Sequence, residues 1–260
     1  MAYEFIRVER EGPVTVFTLN RPEVMNALHS PAHFELHEAF DAFAADSEQW
    51  VGIVTGAGER AFSAGNDLKH QAGGGVMGSP PSGFAGLTSR FDLNKPLVAA
   101  VNGVAMGGGF EIALACDIIV AADTAVFALP EPRVGLAALA GGLHRLPRAI
   151  GTKRALGMIL TGRRVSAVEG EALGFVNEVV APADLMSAAR RWAAQISELS
   201  PMSIRASKEA VFKGLDEPTL EAAIKGQNRY PSVSALFKSE DFVEGPMAFA
   251  QKRAPAWKGR

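Results

Sequence analysis

Three consecutive glycines, Gly107, Gly108 and Gly109, stand between the apolar run ending at Val101 and the helical run Ile112 to Ala115. Glycines at a helix start expose backbone N–H groups and let a ligand oxygen come close. The same N–H groups lie at the positive end of the helix dipole, so they favour negative charge developing on a carbonyl oxygen. A tight strand-to-helix turn would need one glycine rather than three. A second glycine turn, Ala61-Phe62-Ser63-Ala64-Gly65-Asn66-Asp67-Leu68, can supply another backbone donor, and two such turns can converge on one oxygen. Alone it is also generic turn chemistry.

Two carboxylates stand near these turns. Glu111 lies three residues after Gly108, and Glu131 sits in Ala128-Leu129-Pro130-Glu131-Pro132. Apolar neighbours push a carboxyl pKa upward by desolvation, which suits proton transfer near neutrality. Taken singly, each has a plainer reading: a first-turn glutamate facing the helix dipole, and a loop carboxylate that precedes proline.

Other constellations compete. Gly56-Ala57-Gly58 follows a strand, but the sequence after it does not open a helix and no acidic residue closes a second strand about 20 residues on, as a dinucleotide site requires. His29, His33 and His37 share one helix face at metal-ligand spacing; without a further ligand cluster they read as surface histidines. Ser63, Asp67 and His70 are hydrolase residue types, but no Gly-x-Ser-x-Gly elbow surrounds the serine. Cys116, the one cysteine, reads as a small core residue.

The elements that must position these groups follow from periodicity. Ile6 to Arg10 and Val14 to Leu19 read as a hairpin, and residues 31–46 as an amphipathic helix with Ser30 as its cap and Pro31 in its first turn. Val51 to Thr55, Pro96 to Val101 and Ile118 to Ala121 read as buried strands. Helices are expected at 143–149, 152–160, 167–173, 183–199, 201–213, 219–229 and 239–251. The chain is α/β first and α afterwards. Residues 71–86 lack periodicity and read as a flexible loop; loops of this length often cover a site, and a surface excursion is the plainer alternative.

Charge and composition bound the function. With 26 basic and 28 acidic residues and 48% hydrophobic ones, the chain reads as an ordinary globular protein with no global field for nucleic acid or an anionic membrane. Phosphate groups must be met locally. Without a signal-like N-terminus or a transmembrane-length run, a cytoplasmic protein is expected. A non-catalytic binding scaffold is the alternative from another class.

The ordered motifs resemble the enoyl-CoA hydratase/isomerase, or crotonase, family over nearly the whole chain. They are Asn20-Arg21-Pro22, Asn26-Ala27-Leu28, Phe62 to Leu68, Asn102 to Glu111, Leu129-Pro130-Glu131, Gly141 to Gly151, Leu160-Thr161-Gly162, Ala172 to Asn177, and Glu244-Gly245 to Lys252-Arg253. The resemblance implies an α/β spiral of ββα units over 1–195 and a helical segment over 196–260 that joins trimers, often paired into hexamers. It implies oxyanion donors at the backbone N–H groups of Asn66 and Gly108. It makes Glu111 and Glu131 the hydratase pair, one activating water and the other serving proton transfer at C2. Val24, Ala27, Ala64, Asp67, Leu68, Met106 and Lys252 would contact the acyl-CoA, with Lys252 reaching a phosphate. No cofactor is implied beyond the coenzyme A of the substrate thioester. Two departures bear on the acyl group: Asn66 stands where hydratases often have a small residue, and Gly135 to Gly142 lacks the Pro-Gly pair common there. Carnitinyl-CoA dehydratases diverge in that same stretch, and a 3-enoyl/2-enoyl isomerase is the other relative to weigh.

Overall fold

The computed structural model describes residues 3–76 and 78–260; Met77, inside the expected 71–86 loop, lies outside the described residues, as do Met1 and Ala2. Strands β1 (Ile6–Glu11) and β2 (Val14–Leu19) form the expected antiparallel hairpin. Helix α1 (Ser30–Ala45) follows, then strands β3 (Val51–Gly56) and β4 (Ala61–Ser63) and the short helix α2 (Leu68–Ala72). The same pattern repeats as β5 (Leu97–Val101), β6 (Val104–Met106) and α3 (Gly108–Ala115), and again as β7 (Ile118–Ala122) and β8 (Val126–Ala128) followed by a 3₁₀ turn at Glu131–Val134.

In each repeat the first strand joins one sheet and the second joins another. The large sheet has the order β1-β2-β3-β5-β7-β10, and the small one β4-β6-β8-β9, where β9 is Val165–Ser166 and β10 is Glu178–Val180. Within the large sheet, β2, β3, β5, β7 and β10 are parallel. Because both sheet faces are covered, β3 and β5 are buried along their whole length, which explains their unbroken apolar runs. Adjacent residues alternate between two cores. Phe17, Val54 and Ala99 pack with Phe40 and Phe43 of α1, while Val16, Ile53, Val98 and Val120 pack with Ala188, Ala189 and Ala193 of α7 (Leu185–Ser197).

The remaining helices are α4 (Gly142–Ile150), α5 (Thr152–Thr161), α6 (Ala167–Leu173), α8 (Pro201–Asp216), α9 (Leu220–Gly226), α10 (Pro231–Leu236) and α11 (Glu240–Ala250). The C-terminal helices leave Phe212, Leu215, Leu220, Phe237, Val243 and Phe249 exposed. No helix among the described residues is long and apolar enough to cross a membrane.

Some expectations change. Residue 30 is the first helical residue of α1 and not its cap; His29, with extended backbone (φ −124°), stands at the cap position and makes no side-chain cap bond. Helix α10 and the strands β4, β6, β8, β9 and β10 carry too few residues to announce themselves by period. The expected 71–86 loop begins inside α2 and ends packed, with Ala85 and Gly86 buried in a 3₁₀ turn against α1. His29 and His33 are buried instead of exposed, because α1 turns them toward Phe5, His70 and the 82–90 segment.

Asn26 ties the loop after β2 to the turn between β3 and β4. It holds a left-handed φ of 53°, and its buried side chain accepts from the Arg21 N–H (3.0 Å) and donates to the carbonyls of Ala57 (3.0 Å) and Ala61 (2.8 Å). Asn26→Ala removes the amide donor to the Ala57 carbonyl and the shorter of two to the Ala61 carbonyl, which keeps only Asn102 (3.2 Å), and puts alanine in a conformation it resists. We expect a loss of about 2–4 kcal/mol in urea unfolding at an unchanged m-value; a loss below about 0.5 kcal/mol would mean that the side chain does not organise this loop.

Candidate active site

The two glycine turns meet. Strand β4 pairs with β6 and the isolated bridge Leu28–Asn66 continues the edge, so the turns after Ser63 and Met106 emerge side by side. At Gly65 (φ 86°) a methyl group would lie 2.6 Å from the Met106 carbonyl oxygen and 2.8 Å from the Gly108 nitrogen. Each of the three later glycines is required by a different neighbour. A Cβ at Gly107 would come within 2.8 Å of Glu131 Oε1, one at Gly108 within 2.6 Å of the Phe84 ring, and one at Gly109 would overlap the Ser63 carbonyl. The Gly107 N–H donates to the Ala128 carbonyl (2.9 Å), whereas the N–H groups of Asn66 and Gly108 find no acceptor among the described residues. Two free donors at adjacent turns, one of them at the N-terminus of α3, can hold one oxyanion.

Glu111 sits in the first turn of α3 and is 3% exposed. Its Oε1 accepts from the Gly142 N–H at 2.8 Å. Burial above all, helped by the charge of Glu131 and opposed by the Gly142 and Ala140 N–H groups and by Arg145, raises its carboxyl to about 7. Glu131 opens the 3₁₀ turn after β8, and burial raises its carboxyl too. Its Oε2 is buried with no partner among the described residues. Glu131 thus faces the turn that carries the Gly108 donor, and Glu111 stands on the first turn of the helix that follows it, its carboxyl against Gly142.

The other candidate residues divide. Val24 and Ala27 in the loop after β2, Ala64 beyond β4, Leu68 at the start of α2 and Met106 at the end of β6 border the joined turns, and the Ala64 N–H donates to the Met25 carbonyl at 2.9 Å. The Asp67 carboxylate caps α2 through the His70 N–H (3.0 Å) and pairs with Arg21 (2.9 Å), so it braces the turn. The Asn66 amide donates to Gln71 Oε1 (2.8 Å), away from the backbone donor. Lys252 lies exposed beyond α11, which packs on α8.

The competing constellations are occupied elsewhere. Ser63 Oγ donates to the Asn26 carbonyl and accepts from the Gly65 N–H, bracing the turn. Gly56 to Gly58 lead into β4 and not into a helix. His33 Nδ1 accepts from the Ala85 N–H, and His37 Nδ1 lies 2.8 Å from Ser82 Oγ. Phe84, which shapes the site, gave no signal in the sequence because loop packing brings it in, whereas Gly142 and Arg145 lie on α4 within the Gly141–Gly151 motif.

Residues 9–260 match the family model described as enoyl-CoA hydratase/isomerase. The chain belongs to the crotonase family. It is 46% identical over 264 residues to a carnitinyl-CoA dehydratase of Salmonella typhi, covering 99% of each chain. Among solved structures it resembles an enoyl-CoA hydratase of Mycobacterium marinum (TM-score 0.92, 38% identity, 98% and 99% of the two chains) and a carnitinyl-CoA hydratase of Mycobacterium avium (TM-score 0.78, 38% identity, 98% and 99%). As a member of this family the chain is an enzyme of coenzyme A thioesters.

The raised Glu111 carboxyl has a stability consequence. Between its ordinary value of 4.5 and about 7 the folded protein keeps a proton that the unfolded chain releases. That contribution is complete below pH 4.5 and is lost as pH rises through 7. Glu111→Gln cannot ionise and retains an oxygen to accept from Gly142. It should therefore gain on wild type by about 2–3 kcal/mol between pH 5 and pH 8.5 in denaturant unfolding. A difference that does not change with pH would show that Glu111 ionises as an exposed carboxylate does.

Proposed function

We propose that this enzyme is a hydro-lyase that adds water across the C2–C3 double bond of a 2-enoyl-CoA, or removes it from the 3-hydroxyacyl-CoA. The observation that carries this reading is the buried Glu111 and the half-buried Glu131, whose Oε2 is shielded from solvent, near two backbone N–H groups without acceptors among the described residues. The thioester oxygen lies against the Asn66 and Gly108 N–H groups, where fixed dipoles meet the charge that an enolate-like transition state places on it. Glu111, whose anion gains the Gly142 hydrogen bond, takes a proton from water as oxygen bonds to C3. Glu131, whose Oε2 has no donor among the described residues to support an anion, gives its proton to C2. Atoms balance as one water added, and the proton passes back between the carboxyls. No cofactor takes part beyond the coenzyme A that the substrate carries.

The acyl group of the Salmonella relative is the second reading. Carnitinyl-CoA and its dehydrated product differ from the simple 3-hydroxyacyl and 2-enoyl thioesters at the γ carbon, and the two interconvert by the same loss or gain of one water. The identity of 46% over the full length is what favours it.

Glu111→Gln and Glu131→Gln should each lower kcat by roughly 10²–10⁴-fold with little change in KM. In wild type kcat/KM should rise with pH through about 7 as Glu111 ionises. The assay panel is crotonyl-CoA, longer 2-enoyl thioesters, carnitinyl-CoA and a 3-enoyl-CoA. An isomerase with one base would show one severe substitution and prefer the 3-enoyl thioester. Wild-type rates in both folded variants would refute the paired-glutamate mechanism.

We also infer assembly through the C-terminal segment, where Phe212, Phe237 and Phe249 present apolar surface to solvent in a single chain. The family resemblance favours a trimer or a pair of trimers, with Lys252 meeting a phosphate of coenzyme A. Analytical ultracentrifugation should give three or six times the 27.4 kDa chain mass; a species of single-chain mass at micromolar concentration would overturn this.

A further inference from the structure

We propose that Phe84 is a specificity-determining residue that limits the size of the acyl group beside the oxyanion turn, and that His33 is the positioning residue that holds it there. The proposal rests on the acyl-CoA reading above and goes beyond it in naming what bounds the substrate.

The Phe84 ring is the nearest neighbour of Gly108: a Cβ built on that glycine would sit 2.6 Å from both Cε1 and Cζ. A Cβ is about 2.5 Å from its own backbone nitrogen, so the ring edge lies within about 5 Å of the Gly108 N–H donor. An oxygen bound to that donor at about 2.9 Å lies no more than about 8 Å from the ring edge, so an acyl chain that leaves it on the side of the ring meets Phe84 within its first few carbons. Phe84 is only half-buried although it is packed on one face, so its other surface is free to meet a ligand.

His33 fixes this ring in two ways. Its imidazole stacks at a tilt on Phe84, with centroids 4.4 Å apart, and its Nδ1 accepts from the Ala85 N–H at 3.0 Å. Accepting at Nδ1 requires a neutral ring. Burial lowers the His33 pKa to about 4, which keeps the ring neutral across the working range. The backbone it holds turns through positive φ at Gly83, Ala85 and Gly86 (83°, 56° and 61°), which glycine adopts freely but which costs energy at Ala85 that packing must offset. Gly86 lies so close to the His37 backbone that no side chain fits, and His37 and Arg90 secure the far end of the segment. A segment anchored to α1 over this length is a fixed wall and not a loose cover. That His33 faces the segment and is 3% exposed explains why α1 carries a polar ring on a buried face.

The test uses the whole protein and isothermal calorimetry with butyryl-, hexanoyl- and octanoyl-CoA, together with kcat/KM on the matching 2-enoyl thioesters. Phe84→Ala should raise the affinity for octanoyl-CoA relative to butyryl-CoA by about tenfold or more, since each methylene admitted to an apolar pocket is worth at least that order. Phe84→Leu should move the ratio the same way by a smaller factor, and it stands in if the alanine variant does not fold. His33→Leu keeps volume but removes the acceptor, and should shift the ratio in the same direction. His33→Asn offers an amide oxygen near the Nδ1 position and should bring the ratio back toward wild type. An unchanged ratio in the Phe84 variants overturns the proposal. A His33→Leu variant that melts lower at an unchanged ratio overturns the positioning role. If wild type binds none of these thioesters, the acyl-CoA reading fails and this inference with it, whereas binding with an unaltered ratio refutes this inference alone.

Discussion

At Gly65 the chain passes so close to the Met106 carbonyl and the Gly108 nitrogen that two turns touch backbone to backbone, with no room for a side chain between them. The molecule is organised around that contact. Strand β4 must lie beside β6 for the turns to meet, and β6 beside β8 for Gly107 to donate to Ala128 and for Glu131 to reach the same spot. The small sheet is thus a frame whose strand ends deliver backbone donors and a carboxylate to one place. The large sheet, with α1 and α7 on its faces, supplies the buried mass that keeps the frame rigid. Asn26 and Asn102 fasten the frame to it, since both amides donate to the Ala61 carbonyl at the start of β4.

Rigidity of this kind has an electrostatic consequence. Fixed N–H dipoles stabilise charge without reorganising, but only where water is scarce, and scarcity of water penalises any ionised carboxylate nearby. Glu111 and Glu131 carry that penalty, and their raised proton affinities express it. The helix start that favours an oxyanion at Gly108 also favours the Glu111 anion one turn on, and the Gly142 N–H adds to this. Burial outweighs both for Glu111. Both carboxyls therefore hold a proton more tightly than a solvent-exposed pair would.

The exposed aromatic residues of the C-terminal helices follow another logic. A single chain buries two cores on the large sheet yet leaves Phe212, Phe237 and Phe249 in water, while α8 is anchored by polar bonds such as Lys208 to Asp117 and Arg205 to the Gly259 carbonyl. The helical segment is held in place by these polar fixings, and its apolar side faces outward.

The sequence by itself determined the hairpin, the buried strands expected at 51–55, 96–101 and 118–121, each within one residue of the strand observed, and most helices to within one or two residues, because long runs express their period. It also marked Gly107 to Gly109 and the two glutamates, since glycine triplets and carboxylates in apolar surroundings are informative without coordinates. The strands of the small sheet escaped it: two or three residues contain no period, and their pairing is a long-range property. Tertiary structure alone decided that His29 and His33 are buried, that the 82–90 segment is fastened to α1, and that Phe84 lies on Gly108. Spacing told which residues share a helix face; which face meets solvent and which meets a loop fifty residues away is settled only when the chain packs.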